Sequence, residues 1–470
     1  MKKNEYEGLP LYSLSAAQDL YMLQFKCSLH KAVLHVPSCI VVDHPLDWAL
    51  MEQALNIEIE RNDCMRLHFV KTKEGIRQYY IPEYSISHIP VDDFRGMDEE
   101  EAKKLLHKRG SHPVLDYLHG EVFRVRFFYA HDGRCGVYLN ASHLNMDLAA
   151  EFLFYRDLFG VYDALENKTE LPAPLGSSEE LLKRDLERMA NVQKHQKDEK
   201  FYNDFFSENA HQITFAGIDG TRLLEKSRKK RKNPKLRYPN IPIILFDRSD
   251  TVTYSMDASL VSKMYAFLEQ QNMTLSALFC LGFRTYLSAR NYRLENIYQH
   301  IIVNHRSTLM EINCGGARAV TIPLITSIKE DCTFKDAMAE VSKTMMRLFA
   351  HSDFPYMETE KIFRAKMEGA DALNLRSSMV FSCMPPIPFP EKLKDWNFDF
   401  SGFSNGYFAG LNYTIAVPNM RTGEIQMNYE YNTHYVPKES ILEMHNSIIK
   451  VFEAGINNPD ITIGQIMDSL

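Results

Sequence analysis

Apolar residues recur at helical spacing over residues 14–25, behind Ser13 and Ser15, either of which suits a helix cap. Residues 33–42 read as a strand. Pro45-Leu46 opens a helix whose apolar positions are Leu46, Leu50, Ala54 and Leu55. Residues 66–70 and 76–81 predict paired strands around Lys73-Glu74-Gly75. A charged, exposed helix covers 99–108. Strands at 122–129 and 135–141 flank the turn His131-Asp132-Gly133, and a strongly apolar helix covers 149–165.

The pattern changes over 170–178, where Pro172, Pro174, Gly176 and two serines mark a linker. A long polar helix is expected over 179–207 and a basic loop over 222–238. A second α/β unit begins with a strand at 251–256 and helices at 260–270 and 275–289. Strands at 297–303 and 320–328 and a helix at 334–350 follow. The last part predicts strands near 378–383, 411–417 and 424–431 and a closing helix at 438–454. The expectation is an α/β fold of α+β character with mixed sheets, in two halves at 1–175 and 176–470.

Composition narrows the classes. With 45% hydrophobic and 24% charged residues, the chain of 470 residues is neither disordered nor a disulfide-dense scaffold. Lys+Arg number 54 against 61 Asp+Glu, and a net charge of -7 argues against a dedicated nucleic-acid binder. No apolar leader follows Met1, and the longest apolar stretch, 275–283, is too short to span a bilayer. The eight cysteines form no CxxC pair and no Cys/His cluster of zinc spacing, so single buried thiols in a reducing cytoplasm are expected.

The candidate chemistry lies where the 135–142 strand ends. Val137, Leu139 and Ala141 alternate with Tyr138, Asn140 and Ser142; His143 follows, and Asp147 precedes the apolar helix. A strand-to-helix turn is a common place for exposed catalytic groups. HxxxD by itself is weak, because His88…Asp92 and His112…Asp116 repeat it in loop-like sequence. The bland reading makes Asp147 a helix cap and His143 a core histidine.

The flanks add weight. The segment from Leu14 to Gln24 resembles LSxAQxxLWxLQ, and that from Pro45 to Leu55 resembles PLDxxxLxxAL. The segment from Arg61 to Phe69 resembles RHExLRTxF, and Ser142 to Leu148 falls where HHxxxDG belongs. The run 274–290 with Ile301 to Arg306, then Thr321-Ile322-Pro323-Leu324, His351 to Tyr356 and Tyr431-Asn432-Thr433 continue the series in order. Nearly end to end, the chain resembles the condensation domains of nonribosomal peptide synthetases, within the chloramphenicol-acetyltransferase-like acyltransferases.

That resemblance implies two chloramphenicol-acetyltransferase-like lobes in a V, with the HxxxD turn at the midpoint of a central tunnel. His143 would be the general base or positioner, and Asp147 would pair with an Arg, best matched by Arg306. Ser142, Leu148 and Ser382 would contact substrate, while Arg61 and Arg66 support the N-terminal lobe. No metal and no bound cofactor is implied; the co-substrate would be a phosphopantetheine thioester. Cys314-Gly315-Gly316-Ala317-Arg318 lacks the Ser of a carrier turn, so the donor is expected in trans, on an acyl or peptidyl carrier protein or on coenzyme A. The acceptor would be an amine or an alcohol.

Three departures stand out. Ser142 replaces the first His, Leu148 replaces the Gly, and Val320 stands where an Asn belongs. They leave two readings: a stand-alone condensation-type acyltransferase of natural product biosynthesis, or a degenerate condensation fold that binds a carrier or partner. Lys226 to Arg237 carries eight basic residues, read as a solvated loop or as a docking surface for an acidic carrier or coenzyme A phosphates. Gly402-Phe403-Ser404-Asn405-Gly406 matches GxSxG but is followed by loop and strand, so a glycine-rich turn is expected there rather than a nucleophile elbow.

Overall fold

The computed structural model describes residues 6–367, 375–385, 389–419 and 421–470. They divide into two units, each with one mixed sheet. The first unit comprises Met1–Ala190, Asn304–Ala319 and Ile387–Asn405; the second comprises Asn191–Val303, Val320–Pro386 and Gly406–Leu470. A single cut after residue 175 does not describe this partition, because two segments from the C-terminal half belong to the first unit.

The sheet of the first unit runs in the order Asp399–Gly402, His35–Val42, Cys135–Ser142, Phe123–Tyr129, Val91–Asp93. Only the last pair is parallel. All eight residues of the central Cys135–Ser142 strand are buried, so both of its faces are covered. The polar alternates Tyr138, Asn140 and Ser142 therefore face a packed layer, which the alternation alone did not show. The strand leads through the 143–147 turn into the helix Leu148–Asn167, which is buried along most of its length against the helix Trp48–Arg61. Each large apolar side chain buried there contributes about 1.5–3 kcal/mol. Arg61 locks this helix pair by a bidentate bond to Asp157, at 2.7 and 2.9 Å. Arg66 donates to the backbone carbonyls of Ile59, Glu60, Ile81 and Pro82. Both arginines are braces of the first unit.

The sheet of the second unit has the order Ser249–Met256, Ile425–Asn432, Asn412–Pro418, Met379–Cys383, Asn296–Val303, Val320–Ser327. Met379–Cys383 is parallel to both neighbours, and the other pairs are antiparallel. Leu275–Arg290 is the buried helix of this unit.

Three elements differ from expectation. The long polar helix is two helices, Ser178–Met189 and Val192–Asn209, because Asn191 leaves helical geometry and caps the second one through Lys194 N–H. The basic loop contains a helix, Arg222–Arg231, anchored by buried Leu223 and Leu224. Asp399–Gly402 is a strand, and no helix follows the GxSxG run that begins at its end. Among the described residues, no helix is long and apolar enough to cross a membrane.

Candidate functional site

Ser142 ends the central strand and sets the turn. Its carbonyl accepts the N–H groups of Asn145 and Met146, and its Oγ accepts that of Leu144 at 3.3 Å. The hydroxyl that replaces an imidazole is thus engaged in closing the turn. His143 N–H donates to Leu34 O at 2.6 Å, which tethers the turn beside the neighbouring strand. Leu148 is the first residue of the helix and is half-buried.

Asp147 caps that helix: Oδ1 accepts Ala150 N–H at 3.0 Å. Oδ2 accepts from Arg306 Nη1 at 2.9 Å, Arg318 N–H at 2.8 Å and Ala319 N–H at 2.9 Å. Burial pushes the carboxyl pKa up, but the Arg306 charge and these hydrogen bonds outweigh it and hold the group below its ordinary value. Asp147 is therefore ionised, with both oxygens occupied. Its contact with Arg306 is buried on both sides. Arg306 also donates to the carbonyls of Asn304 and Gly316. Arg318 forks onto Asp185, at 2.6 and 3.3 Å.

Gly315 and Gly316 belong to this clamp. A Cβ on Gly315 would lie 2.4 Å from Asn62 Oδ1 and 2.5 Å from Cys64 Sγ, so only glycine fits. Gly316 has φ +105, a backbone that glycine adopts without strain, and it presents its carbonyl to Arg306.

His143 is half-buried. Burial lowers its imidazole pKa to about 4, against the opposing charge of Asp147 and the backbone at Met146 and His143. The ring is neutral at physiological pH. Nδ1 is shut away from solvent, and no hydrogen bond of good length and angle reaches it. That leaves Nε2 to meet a substrate. The phenol of Tyr21 stacks on the ring, with centroids 3.8 Å apart and planes 18° from parallel. Tyr21 lies on the helix Ala16–Cys27, which starts with a capping box between Ser15 and Gln18. From the same helix Gln18 Nε2 donates to Leu144 O at 2.7 Å.

The arrangement unites His143, Asp147, Arg306, Ser142 and Leu148 in the first unit. Ser382 belongs to the second unit, buried on the strand Met379–Cys383. Tyr21, Arg318 and Ala319 were not singled out from the sequence. Arg318 and Ala319 act through main-chain N–H groups, which leave no side-chain signature. Among the described residues no group of three or more His, Cys, Asp or Glu could hold a metal.

The family model described as "Condensation domain" matches residues 10–468. Surfactin synthase subunit 1 of Bacillus subtilis (strain 168) is 21% identical over 97% of this chain and 12% of its own length. Gramicidin S synthase 2 of Brevibacillus brevis is 20% identical over 97% of this chain and 10% of its own length. The chain thus spans only a small part of the length of these two relatives. Among solved structures, the first condensation domain of the calcium-dependent antibiotic synthetase, in complex with a substrate analogue, superposes with TM-score 0.78. It is 16% identical, and the match covers 97% of this chain and 99% of that one. A mutant starter condensation domain of rhizomide synthetase, solved with C8-CoA and Leu-SNAC, gives 0.77 at 17% identity, covering 98% of this chain and 96% of that one. With the family model matched almost end to end and the His143 turn in place, the chain belongs to the condensation-domain family of nonribosomal peptide synthetases.

Proposed function

We propose that this chain is an acyltransferase that moves an acyl group from a phosphopantetheine thioester to an amine. The donor would arrive in trans, on an acyl or peptidyl carrier protein or on coenzyme A. The observation that carries this reading is a neutral, half-exposed His143 at the end of a rigid turn whose Asp147 is fully engaged with Arg306 and the backbone. The C8-CoA and Leu-SNAC bound to the rhizomide starter domain support a thioester donor and an amino-acid acceptor. In the proposed step the acceptor nitrogen attacks the thioester carbonyl carbon, the C–N bond forms and the C–S bond breaks. One proton leaves the nitrogen through His143 Nε2 and ends on the departing thiolate. An alcohol acceptor would follow the same path to an ester. Asp147 and Arg306 hold the turn. Ser142, Leu148 and Ser382 are read as substrate contacts, Leu148 by its side chain at the helix start.

The test uses C8-CoA as donor and Leu-SNAC as acceptor. Wild-type chain is expected to form the N-acyl product, and His143→Ala to lose about 10²–10⁴-fold in rate with an unchanged circular dichroism spectrum. Once corrected for the fraction of acceptor amine that is unprotonated, which itself falls below about pH 8, the wild-type rate should stay level down to about pH 5.5 and fall near pH 4, as the imidazole takes up its proton. Equal rates for wild type and His143→Ala would remove His143 from the chemistry.

A second reading, a partner-binding module without catalysis, draws on the Ser142 hydroxyl being spent on the turn and on the Leu148 side chain. It predicts saturable carrier binding with no turnover for any donor.

A further inference from the structure

Arg284 lies on the buried helix Leu275–Arg290 of the second unit and is itself 0% exposed. A guanidinium can only donate hydrogen bonds. Nη2 donates to Glu295 O at 2.7 Å, while Nε and Nη1 are shut away from solvent without a partner among the described residues. Neither neighbouring acid supplies a counter-charge at bonding distance. Glu295 is exposed and its carboxylate accepts from Ser327, so it meets Arg284 only through its carbonyl. Burial holds the Cys332 thiol above its ordinary pKa, and Sγ donates to Thr333 O. Burial also lowers the guanidinium pKa to about 10, against the charges of Cys332 and Glu295, so Arg284 stays a cation at neutral pH.

The layer around it holds further unmet polar atoms. Cys280, one turn earlier on the helix, accepts from Gln299 Nε2 at 3.1 Å, which puts Gln299 on the sheet face that meets the helix. Ile297 shares that face, and Thr326 stands opposite Ile297 in the antiparallel pair, so Thr326 shares it too. Gln299 Oε1 and Thr326 Oγ1 are both shut in without a partner. Glu295 O accepts from Ile328 N–H as well as from Arg284, so the guanidinium and Thr326 lie at the same end of the layer. A buried cation without a counter-charge is costlier than a buried neutral polar group, and water brings no charge.

We infer that the second unit binds a small monovalent anion of chloride or bromide size beside the Arg284 guanidinium, between the helix Leu275–Arg290 and the strands Asn296–Val303 and Val320–Ser327. The anion accepts from Arg284 Nε and Nη1 and from the Thr326 hydroxyl. Gln299 Oε1 is an acceptor and only borders the site. This site lies in the core of the second unit and is independent of acyl transfer.

The experiment follows thermal unfolding of the full chain in about 200 mM sodium chloride, sodium bromide or sodium gluconate at one pH. A ligand of the folded chain alone raises Tm, so both halides should raise the wild-type Tm at least about 2 °C above gluconate. Arg284→Met puts an apolar chain of similar length in the same space; it should fold and show no such difference. Equal wild-type Tm in the three salts would overturn the inference. So would an Arg284→Met variant that keeps the full difference, since the halides would then act elsewhere. If Arg284→Met does not fold, anomalous diffraction from wild-type crystals grown in bromide decides. A bromide peak beside the guanidinium upholds the site, and a water or no peak there removes it.

Discussion

At the scale of single residues, Asp147 and Glu151 are one helical turn apart and sit in opposite electrostatic states. Asp147 is buried but surrounded by donors, so it stays charged. Glu151 is equally buried and accepts one bond, from Ser38 at 2.7 Å, while its other oxygen has none. Burial raises its carboxyl pKa well above the ordinary value, and the Asp147 charge adds to that, so it is held neutral. Removing Asp147 strands the buried Arg306 and three N–H groups. Asp147→Ala should therefore cost about 3–5 kcal/mol in urea unfolding at pH 7, and an unchanged unfolding midpoint would count against the clamp. Glu151 carries the opposite sign. Above about pH 4.3 the unfolded chain ionises this residue while the folded one does not, so stability falls as pH rises. Glu151→Gln removes that loss, and its gain over wild type should grow between pH 5 and pH 8; a gain independent of pH would show that Glu151 is ionised when folded. Much of this was legible in the chain. Asp147 ahead of an apolar helix announced a cap, and the resemblance pointed to Arg306. The Tyr21 stack was not legible, because the two rings come from segments far apart in sequence and neither residue type specifies the other.

Among the elements, the basic segment shows how a charge run can mislead. Lys and Arg are good helix formers, and Leu223, Leu224 and Ser227 supply a buried side. The helix Arg222–Arg231 therefore forms, and Lys232 ends it in the left-handed conformation at φ 52. Lys226, Lys229, Lys230 and Arg231 are exposed along it, and Lys232 and Lys235 just beyond. Arg228 is turned back onto Leu236 O and Glu225. A helix presents these cations as one rigid array, which suits an acidic carrier better than a loop would. On that reading, exchanging Lys229, Lys230 and Arg231 for Glu should raise KM for a carrier-bound acyl donor at least about tenfold at low salt, and less at high salt. The KM for an uncharged acyl-SNAC donor should not change. An equal effect on both donors would place the disturbance in the fold rather than in docking. The strand Asp399–Gly402 escaped the sequence for a different reason: four residues are too few for an alternating pattern, and its register partner His35–Val42 lies near the other end of the chain.

For the whole molecule, the order of motifs specified the family but not how the chain is shared between units. A cut at 175 follows the Pro- and Gly-rich 170–178 stretch, where composition changes most visibly. Contacts follow a different logic. The first unit takes Asn304–Ala319 from between two paired strands of the second unit's sheet, and it takes its edge strand from Asp399–Gly402. The first of these segments carries Arg306, Arg318 and Ala319, which donate to Asp147 Oδ2, and Gly316, whose carbonyl accepts from Arg306. A fragment of residues 1–190 would keep His143 and Asp147 but leave a buried carboxylate without its cation and the strand His35–Val42 without one neighbour. It should therefore lack a cooperative urea transition and near-ultraviolet dichroism, while the full chain shows both. Losing a buried counter-charge costs several kcal/mol, a large share of the roughly 5–15 kcal/mol that keeps a domain folded. A fragment with a sharp transition close to that of the full chain would mean that the first 190 residues are self-sufficient. The 304–319 segment would then serve the geometry of the His143 turn and not the stability of the unit that carries it.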